Sequence, residues 1–343
     1  MNQELIKWSQ DHYSELPWRV ERSLYGTLVS EIMLQQTTVG TVLKHYNRFL
    51  SQFPDIETLA QATQDEVMLA WQGLGYYRRA RSLHAAAIEI HEKFEGKIPL
   101  EAQTLLSIKG IGPYTASALR AIGADIDDLA VDANLERVLA RYYGLTDVKG
   151  IKLQKKIREL FDQRKIASMI SELGSRALNE ALMDLGRRIC QARSAACEIC
   201  PLKDNCQGRV SPYQYPSMAN KSSSDESFEL HLLRVVVRKG ESLLVYKKNQ
   251  EQWLSGQFEI PTFEVWGEDT NLRQYPKMKL ENYDLLPWIK TGITKYKILN
   301  FIIEVDLNEF KLLGLKTVDF EWRKSQSIHL STTSNKCLDL LDN

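Results

Sequence analysis

The sequence predicts a mainly α-helical first domain followed by a smaller α+β domain. The chain has 343 residues, which is enough for two ordinary domains. Residues 1–206 carry apolar side chains at helical spacing, whereas residues 229–343 begin with runs rich in β-branched side chains. Residues 207–228, which lie between them, are rich in serine and contain two prolines, a composition typical of a linker.

The charge balance limits the classes of partner. The chain has 44 Lys and Arg residues against 44 Asp and Glu residues, so its net charge is zero. Contacts with nucleic acid would therefore have to come from local patches. Residues 1–19 lack the apolar core of a signal peptide, and the segment 23–43 is too polar to span a membrane. We expect an intracellular protein with reduced thiols and no membrane partner.

Helical periodicity predicts the elements of the first domain in order. It runs from Leu28 to Phe49 and then through stretches near residues 56–72, 77–94, 101–107, 114–122, 134–143, 152–160 and 173–187. In the second domain, two β-rich runs flank Lys239-Gly240-Glu241 and predict a hairpin over residues 230–248. Strand-like segments follow near 257–265 and 298–306, and helical segments near 308–314 and 334–341.

Two carboxyl groups stand out in the helical domain. Glu31 is the sole charged residue between Ser23 and Leu43. Burial would raise its pKa and let it hold a proton near neutral pH, although a solvated helix face is the alternative for Glu31 alone. Asp132 directly precedes a helix, as an ordinary N-cap does, and a helix N-terminus favours the charged form of a carboxyl. If they meet, the two groups would form a pair of one acid and one anion.

The segment "IKGIGPYTA", residues 108–116, predicts a sharp turn between two helices. Gly110 and Gly112 allow the turn, and Pro113 suits the first position of the next helix. Exposed N–H groups at such a turn bind phosphate, so the segment predicts a helix–hairpin–helix grip on a DNA backbone. An ordinary turn with a glycine cap is the alternative.

The segment "GLGYYRRAR", residues 73–81, combines two tyrosines with the arginines Arg78, Arg79 and Arg81. Aromatic rings stack on bases while cations contact phosphates, so this segment is a second candidate for nucleic-acid binding. The alternative is a solvated basic start of a helix.

Four of the five cysteines lie within 17 residues, in a loop over 190–206: Cys190, Cys197, Cys200 and Cys206. In an intracellular chain this density favours a metal centre over disulfides. All-cysteine ligation with irregular spacing suits a [4Fe–4S] cluster, with zinc as the alternative and an array of free thiols as a third.

Together these motifs resemble the adenine DNA glycosylases of the MutY type, within the endonuclease III superfamily. The matching stretches are "LPWR" (16–19), "SEIMLQQT" (30–37), "GLGYYRRAR" (73–81), "IKGIGPYTA" (108–116), "VDANLERVLAR" (131–141) and the four cysteines. Weaker similarity continues through "WLSGQFEIP" (253–261) and "HLSTTSNKCLDLL" (329–341). The resemblance implies a helix–hairpin–helix glycosylase domain with a [4Fe–4S] cluster loop, followed by a Nudix-like lesion-recognition domain. The second domain has no Nudix hydrolase box, so we expect no nucleotide hydrolysis there.

The resemblance also implies roles for individual residues. Glu31 would protonate a ring nitrogen of adenine, and Asp132 would stabilise the cationic sugar, with Tyr114 and Asn134 supporting these charges. The implied DNA contacts are Arg19 near the extruded base, the wedge residues Leu34, Gln36, Val39 and Tyr76, and the backbone at Gly110 and Gly112. Related bifunctional enzymes carry a nucleophilic lysine at position 114, so Tyr114 implies a monofunctional glycosylase.

The sequence departs from the family pattern at two places. The usual Asp-Gly-Asn is Asp132-Ala133-Asn134, a change that a helical position 133 would tolerate. The Phe-Ser-His element that reads 8-oxoguanine is replaced by Ile293, Thr294 and Lys295, and of these Thr294 and Lys295 keep polar groups for the opposite base. We therefore expect removal of adenine with weakened preference for 8-oxoguanine over guanine opposite it.

The expected partner is double-stranded DNA that contains an adenine mispaired with 8-oxoguanine or guanine. The enzyme is expected to be a cytoplasmic monomer, associated with the nucleoid if bacterial. Two alternatives remain: a glycosylase on the same scaffold with another preference, such as thymine opposite guanine, and a non-catalytic lesion-binding protein. The presence of both Glu31 and Asp132 argues against the last.

Overall fold

A computed structural model describes residues 3–147, 149–163, 166–217, 227–313 and 320–342. The chain divides into two compact units, residues 1–221 and 222–343. Across these described ranges, no helix is both long and apolar enough to cross a membrane.

The first unit is helical, as predicted. Its α-helices are α1 Gln3–Tyr13, α2 Pro17–Val20, α3 Leu24–Leu34, α4 Val39–Gln52, α5 Ile56–Gln61, α6 Gln64–Ala70, α7 Arg78–Phe94, α8 Ala102–Ser107, α9 Pro113–Ala118, α10 Ala133–Tyr143, α11 Ile151–Asp162, α12 Ala167–Leu173 and α13 Ser175–Arg188. A π-helical turn, Leu119–Gly123, continues α9, and short 3₁₀ turns lie at Cys197–Ile199, Lys203–Asn205 and Pro212–Gln214.

Two predicted helical stretches are divided in the structure. The first breaks between α3 and α4, where Gln36 has a left-handed backbone with φ of 58° and Thr38 caps the new helix. The second breaks between α5 and α6, where Thr63 and Glu66 form a capping box. Periodicity alone continues across such breaks because the apolar face resumes in phase on the far side.

The helical unit has two main apolar cores. The first is formed by buried side chains of α3 to α8, with Phe49 and Trp71 among the largest. The second is formed by α1 and α10 to α13, where Leu135, Leu178 and Leu182 are fully buried. The two candidate carboxyl groups are carried by helical segments of different cores, because α3 contributes to the first core and α10, which Asp132 precedes, contributes to the second.

The described residues of the second unit, 227–313 and 320–342, contain two small sheets and two helices. Its elements are β1 Phe228–Val236, β2 Arg238–Lys239, β3 Ser242–Lys247, β4 Phe258–Glu259, β5 Thr262–Gly267, β6 Trp288–Ile293, β7 Tyr296–Glu304, α14 Leu307–Leu312, β8 Glu321–Lys324 and α15 Thr332–Asp342, with 3₁₀ turns at Tyr283–Leu285 and Ser325–Ser327. One sheet has the order β5-β1-β7-β6, and in the other β3 pairs with β2, β4 and β8. Cys337 of α15 is fully buried in a core with Val236 and Ile302.

The predicted hairpin is right at its turn and wrong in its extent. The turn at Gly240 joins β2 and β3, which pair Arg238 with Leu243. The longer run before it, β1, instead pairs in parallel with β7 and antiparallel with β5. The strands β5 and β7 are distant from β1 in sequence. A local pattern of two β-rich runs therefore favours pairing of β1 with the run that follows it, which does not occur.

The predicted linker is partly packed against the helical unit. Within residues 207–217, the carbonyl oxygen of Tyr215 accepts a hydrogen bond from Arg141 Nε at 3.1 Å. Ser217 Oγ donates to the carbonyl oxygen of Thr146 at 2.6 Å. Residues 218–226 of the predicted linker, and position 314 of a predicted helical segment, lie outside the described residues.

Candidate active site and cysteine loop

Glu31 is a buried carboxyl held by a tyrosine. Glu31 is 5% exposed, and Tyr114 Oη donates a hydrogen bond to Glu31 Oε2 at 2.5 Å. Burial raises the pKa of Glu31 to about 7, the Tyr114 hydrogen bond opposes this shift, and the charge of Asp132 adds to it. The solvated alternative for Glu31 is therefore excluded, and the expectation of a carboxyl protonated near neutral pH agrees with the structure.

Asp132 caps the N-terminus of α10, as predicted. Its Oδ1 accepts a hydrogen bond from Leu135 N at 2.7 Å, and its Oδ2 accepts one from Asn134 Nδ2 at 2.8 Å. Burial nevertheless raises the pKa of Asp132 above its ordinary value, against the effect of these hydrogen bonds and of Arg137. Loss of solvent thus outweighs the cap in the direction of the pKa shift, while the negative charge of Asp132 still acts on Glu31.

Asn134 is fixed by close packing and by an arginine. A Cβ atom at Gly186 of α13 would lie 2.6 Å from Asn134 Cβ, so glycine is needed where the two helices meet. Arg137 Nη2 donates to Asn134 Oδ1 at 2.9 Å, and Arg137 Nε donates to the carbonyl oxygen of Cys190 at 2.7 Å. Ala133 is exposed at the first position of α10, so its side chain is tolerated as expected.

Arg19 pairs with two carboxylates of α13 that the sequence reasoning missed. Its Nη1 lies 2.8 Å from Asp184 Oδ2, and its Nε lies 3.5 Å from Glu180 Oε1. Asp184 is buried, and Glu180 lies close enough to Glu31 to raise its pKa. Spacing of four residues places both carboxylates on one helix face, a signal that could have identified them.

The predicted wedge residues surround two exposed turns. Gln36 and Tyr76 are exposed and have left-handed backbones with φ of 58° and 48°. Leu34 and Val39 are partly buried at the two ends of the first turn. The structure therefore brings Gln36 to the surface of the turn that directly follows the helix of Glu31.

The interpretation of "GLGYYRRAR" is wrong for Arg79 and Tyr77. Tyr77 is 5% exposed and Arg79 is 8% exposed, so neither is available for contact with nucleic acid as it stands. Arg79 instead donates to carbonyl oxygens at the end of α3 and in residues 74–75. Arg78, at the same helix start, is exposed.

The glycine turn predicted to contact the DNA backbone lies between α8 and α9. Gly110 has φ of 95°, and a Cβ atom there would lie 2.2 Å from the carbonyl oxygen of Ser82. Gly112 is the N-cap of α9, and a Cβ atom there would meet open space. Conformation and packing therefore require glycine at position 110, whereas packing leaves position 112 free.

The four clustered cysteines line one small cavity with Arg141 and Pro212. Arg141 Nη1 donates to Cys190 Sγ at 3.3 Å. Burial raises the pKa of Cys200 to about 11, and burial with the neighbouring thiols also raises the pKa of Cys197 and Cys206. As thiolate ligands, the four cysteines would need a cationic centre to stabilise their charge.

The cavity offers a donor set of four cysteine side chains. Within the part of the chain that the structure describes, no three His, Cys, Asp or Glu side chains are grouped as around a single metal ion. A [4Fe–4S] cluster would be held by four cysteine thiolates. Convergence of all four cysteines on one cavity fits such a group.

Thr294 and Lys295 form the turn between β6 and β7 in the second unit. Both are exposed, and Thr294 has a left-handed backbone with φ of 50°. Lys295 Nζ lies 4.3 Å from the centre of the Phe228 ring, a cation–π contact. The ammonium group is thus supported at the surface of this turn.

The helical fold, the glycine turn and the adjacent carboxyls define the class of the protein. Residues 29–163 match the HhH-GPD superfamily of base excision DNA repair proteins. The chain also resembles the structure of a thermostable thymine-DNA glycosylase, with a TM-score of 0.51 and 25% identity over 62% of this chain and 94% of that one.

Two relatives identify the family. The adenine DNA glycosylase of Buchnera aphidicola subsp. Baizongia pistaciae is 32% identical over 313 residues, which are 90% of this chain and 81% of the relative. That of Buchnera aphidicola subsp. Acyrthosiphon pisum is 31% identical over 84% of this chain and 77% of its own length. The chain belongs to the adenine DNA glycosylase family.

Proposed function

We propose that this protein is a monofunctional DNA glycosylase that hydrolyses the N-glycosidic bond of adenine mispaired with guanine or 8-oxoguanine in duplex DNA. The observation that carries the proposal is the buried Glu31 carboxyl, which Tyr114 holds and whose pKa is about 7. A group with this pKa supplies a proton at neutral pH and can recover it afterwards.

The residues suggest the following steps. Glu31 donates its proton to a ring nitrogen of the extruded adenine, so the base departs as a neutral leaving group when the bond to the sugar breaks. The bonding electrons leave with the base, and the positive charge that develops on the sugar is stabilised by the carboxylate of Asp132. Water then adds to the sugar and loses a proton to a carboxylate, which leaves an abasic site.

The side chain at position 114 supports a monofunctional reaction. A phenol does not form a Schiff base with the opened sugar, unlike the lysine of bifunctional relatives. The hydroxyl of Tyr114 instead donates a hydrogen bond to the carboxyl of Glu31. Reduction with borohydride during turnover should trap little covalent adduct between enzyme and DNA.

The two exposed turns and the glycine turn would hold the DNA. Flipping a base out of the duplex leaves a gap, which Leu34, Gln36, Val39 and Tyr76 would fill. The backbone at Gly110 and Gly112 would contact phosphates without reading sequence. Arg19 would lie near the flipped base, with its charge balanced by Asp184.

A [4Fe–4S] cluster on Cys190, Cys197, Cys200 and Cys206 would complete the helical unit. Three of these cysteines pack against the second helical core, so a bound cluster would stabilise the 190–206 loop beside α10 and α13. The shared cavity supports this assignment. When bound, the group supplies iron–thiolate bonds that hold the loop.

We assign the second unit to lesion recognition, with a Nudix-like fold. Residues 229–343 would present Thr294 and Lys295 to the base opposite adenine. This assignment is supported by the exposed turn that both residues form between β6 and β7. The substitution of the aromatic and imidazole groups there predicts weak preference for 8-oxoguanine.

The proposal is tested on labelled duplexes that contain A:8-oxoguanine, A:G, A:C and T:G pairs. Alkali cleaves the abasic product, so strand cleavage after alkali measures base release. Cleavage at adenine supports the proposal, whereas cleavage at T:G alone would favour a thymine enzyme, as the resemblance to a thymine-DNA glycosylase allows. The same preparation should contain about four irons per chain if the cluster is bound.

Glu31→Gln should abolish adenine release and leave duplex binding intact, because the amide keeps the shape and cannot donate an acidic proton. The loss in single-turnover rate should be at least about 100-fold. Glu92→Gln, the same change at an exposed position of α7, is the control. It should release adenine and bind the duplex as the wild type does. Loss of binding with Glu31→Gln would instead indicate a structural role for the carboxyl.

A further inference from the structure

The guanidinium of Arg79 connects the end of α3 to the turn that precedes α7. Its Nη1 donates to the carbonyl oxygens of Ile32 at 3.0 Å and Met33 at 2.8 Å, and also to that of Gln35. Its Nη2 donates to Thr37 Oγ1 at 2.8 Å. One cation therefore binds both the last carbonyls of the helix that carries Glu31 and the turn that follows it.

The same nitrogen binds the second exposed turn. Arg79 Nη2 donates to the carbonyl oxygens of Leu74 at 3.1 Å and Gly75 at 3.2 Å. The guanidinium carbon also lies 5.4 Å from the centre of the Tyr76 ring and 5.6 Å from that of Trp71. The two turns thus share a single buried partner.

Both turns contain a non-glycine residue in a conformation that needs support. The left-handed backbones of Gln36 and Tyr76 are strained conformations, and they persist when their surroundings fix them. The last carbonyls of a helix lack partners within the helix and carry partial negative charge. A planar cation with five donors in a fixed fork suits this position better than a lysine ammonium.

We propose that Arg79 is a positioning residue that locks the 35–38 turn and the 74–76 turn into one rigid wedge. This inference rests on the proposed function, in which Gln36 and Tyr76 enter the DNA stack. Arg79 itself is buried and does not need to contact DNA. Its contribution is to hold the two inserted side chains at a fixed separation while α3 presents Glu31.

The test compares Arg79→Lys with Arg48→Lys. Both variants keep a positive charge, but only the first removes a guanidinium that binds the two turns, because Arg48 is an exposed residue of α4. Single-turnover adenine release is measured on an A:G duplex and on the same duplex with mismatched flanking pairs, where the adenine is already loosely stacked. Arg79→Lys should lower the rate on the first duplex by about 10- to 100-fold and on the second by less than about threefold. Arg48→Lys should change neither rate.

The ratio between the two duplexes separates positioning from a general loss of folded enzyme. A variant that is merely less stable loses the same fraction of activity on both substrates, and such an equal loss would overturn the proposal, as would wild-type rates. If Arg79→Lys does not fold, the ratio of rates on the two duplexes is measured with Thr37→Val instead, since this change removes one acceptor of the guanidinium. A smaller shift of the ratio in the same direction supports the proposal, and an unchanged ratio overturns it.

A second readout keeps this inference separate from the proposed chemistry. Fluorescence of 2-aminopurine placed beside the mismatch rises when the wedge unstacks the duplex, whether or not adenine is released. A wild-type protein that unstacks this probe and releases no base would refute the proposed function alone. Equal fluorescence with wild type and Arg79→Lys would refute the role of Arg79 alone.

Discussion

At Glu31, burial and a hydrogen bond act in opposite directions on the same proton. Burial favours the neutral acid, whereas the Tyr114 hydroxyl donates to the carboxylate and favours the charged form. The balance gives a pKa of about 7, which lies above the ordinary value for glutamate. The folded state therefore loses stability from this group as the pH rises through about 7, and the same change removes the proton that Glu31 is proposed to donate.

Tyr114→Phe should shift the pH dependence of base release. Wild-type activity should fall above about pH 7 as Glu31 loses its proton. Without the tyrosine hydroxyl the charged form loses a hydrogen bond, so the pKa rises and the fall moves to higher pH. Single-turnover rates measured between about pH 5.5 and about pH 9 locate this fall in rate, the basic limb of the pH profile, for both proteins.

Tyr143→Phe removes a hydroxyl from a partly buried tyrosine of α10 and is the control. Its limb should coincide with that of the wild type. A limb for Tyr114→Phe that stays in place or moves to lower pH would contradict the assignment of Glu31 as the acid.

Residue chemistry was predictable where one local feature dominates. The uncharged segment around Glu31 left a buried carboxyl and a solvated helix face as alternatives, and the neighbouring motifs with the family resemblance favoured burial. The behaviour of Asp132 was not predictable, since the enclosure that raises its pKa is made by residues distant in sequence. Arg79 was misassigned for a related reason: an arginine pattern gives the charge but not the carbonyl groups that face it.

At the scale of elements, the glycine turn offers a matched pair of substitutions. Gly110→Ala places a methyl group against the carbonyl oxygen of Ser82 in a left-handed conformation, and it should lower the free energy of unfolding by about 1–3 kcal/mol or more. Gly112→Ala meets open space and should cost less than about 1 kcal/mol, the difference between glycine and alanine at an N-cap. Urea unfolding followed by circular dichroism measures both.

The two variants should behave alike only if the described geometry is wrong. Comparable free energies of unfolding for Gly110→Ala and Gly112→Ala would contradict the close approach of α7 to this turn. If Gly112→Ala folds normally and binds duplexes less tightly, the backbone there contributes to DNA binding as proposed.

Elements differed in how far the sequence predicted them. The helices were predicted because an amphipathic helix repeats its apolar face within a few residues. The strands were predicted less well, because pairing partners such as β1 and β7 are far apart in the chain. Strand β6 was missed because its outer residues are exposed and it ends near Gly292, which weakens the usual strand pattern.

At the scale of the whole molecule, the helical unit and the second unit carry different parts of the proposed specificity. The similarity of this chain to adenine DNA glycosylases extends over 90% of its length, so both units are included in the family match. In the proposed reaction, the chemistry on adenine depends on Glu31 and Asp132 in the first unit. The choice of the opposite base is assigned to the turn with Thr294 and Lys295 in the second.

Lys295→His should raise the rate on A:8-oxoguanine relative to A:G. Guanine presents an acceptor at N7, whereas 8-oxoguanine presents an N–H donor there. A lysine ammonium can only donate, while an imidazole can also accept, so the present residue favours guanine and histidine removes that bias. One hydrogen bond is worth about 1 kcal/mol, so the ratio of single-turnover rates should rise about fivefold. Lys297→His, the same change at an exposed position two residues later, should leave the ratio unchanged. An equal rise in both variants would assign the effect to lost positive charge, and no rise in either would remove Lys295 from the recognition of the opposite base.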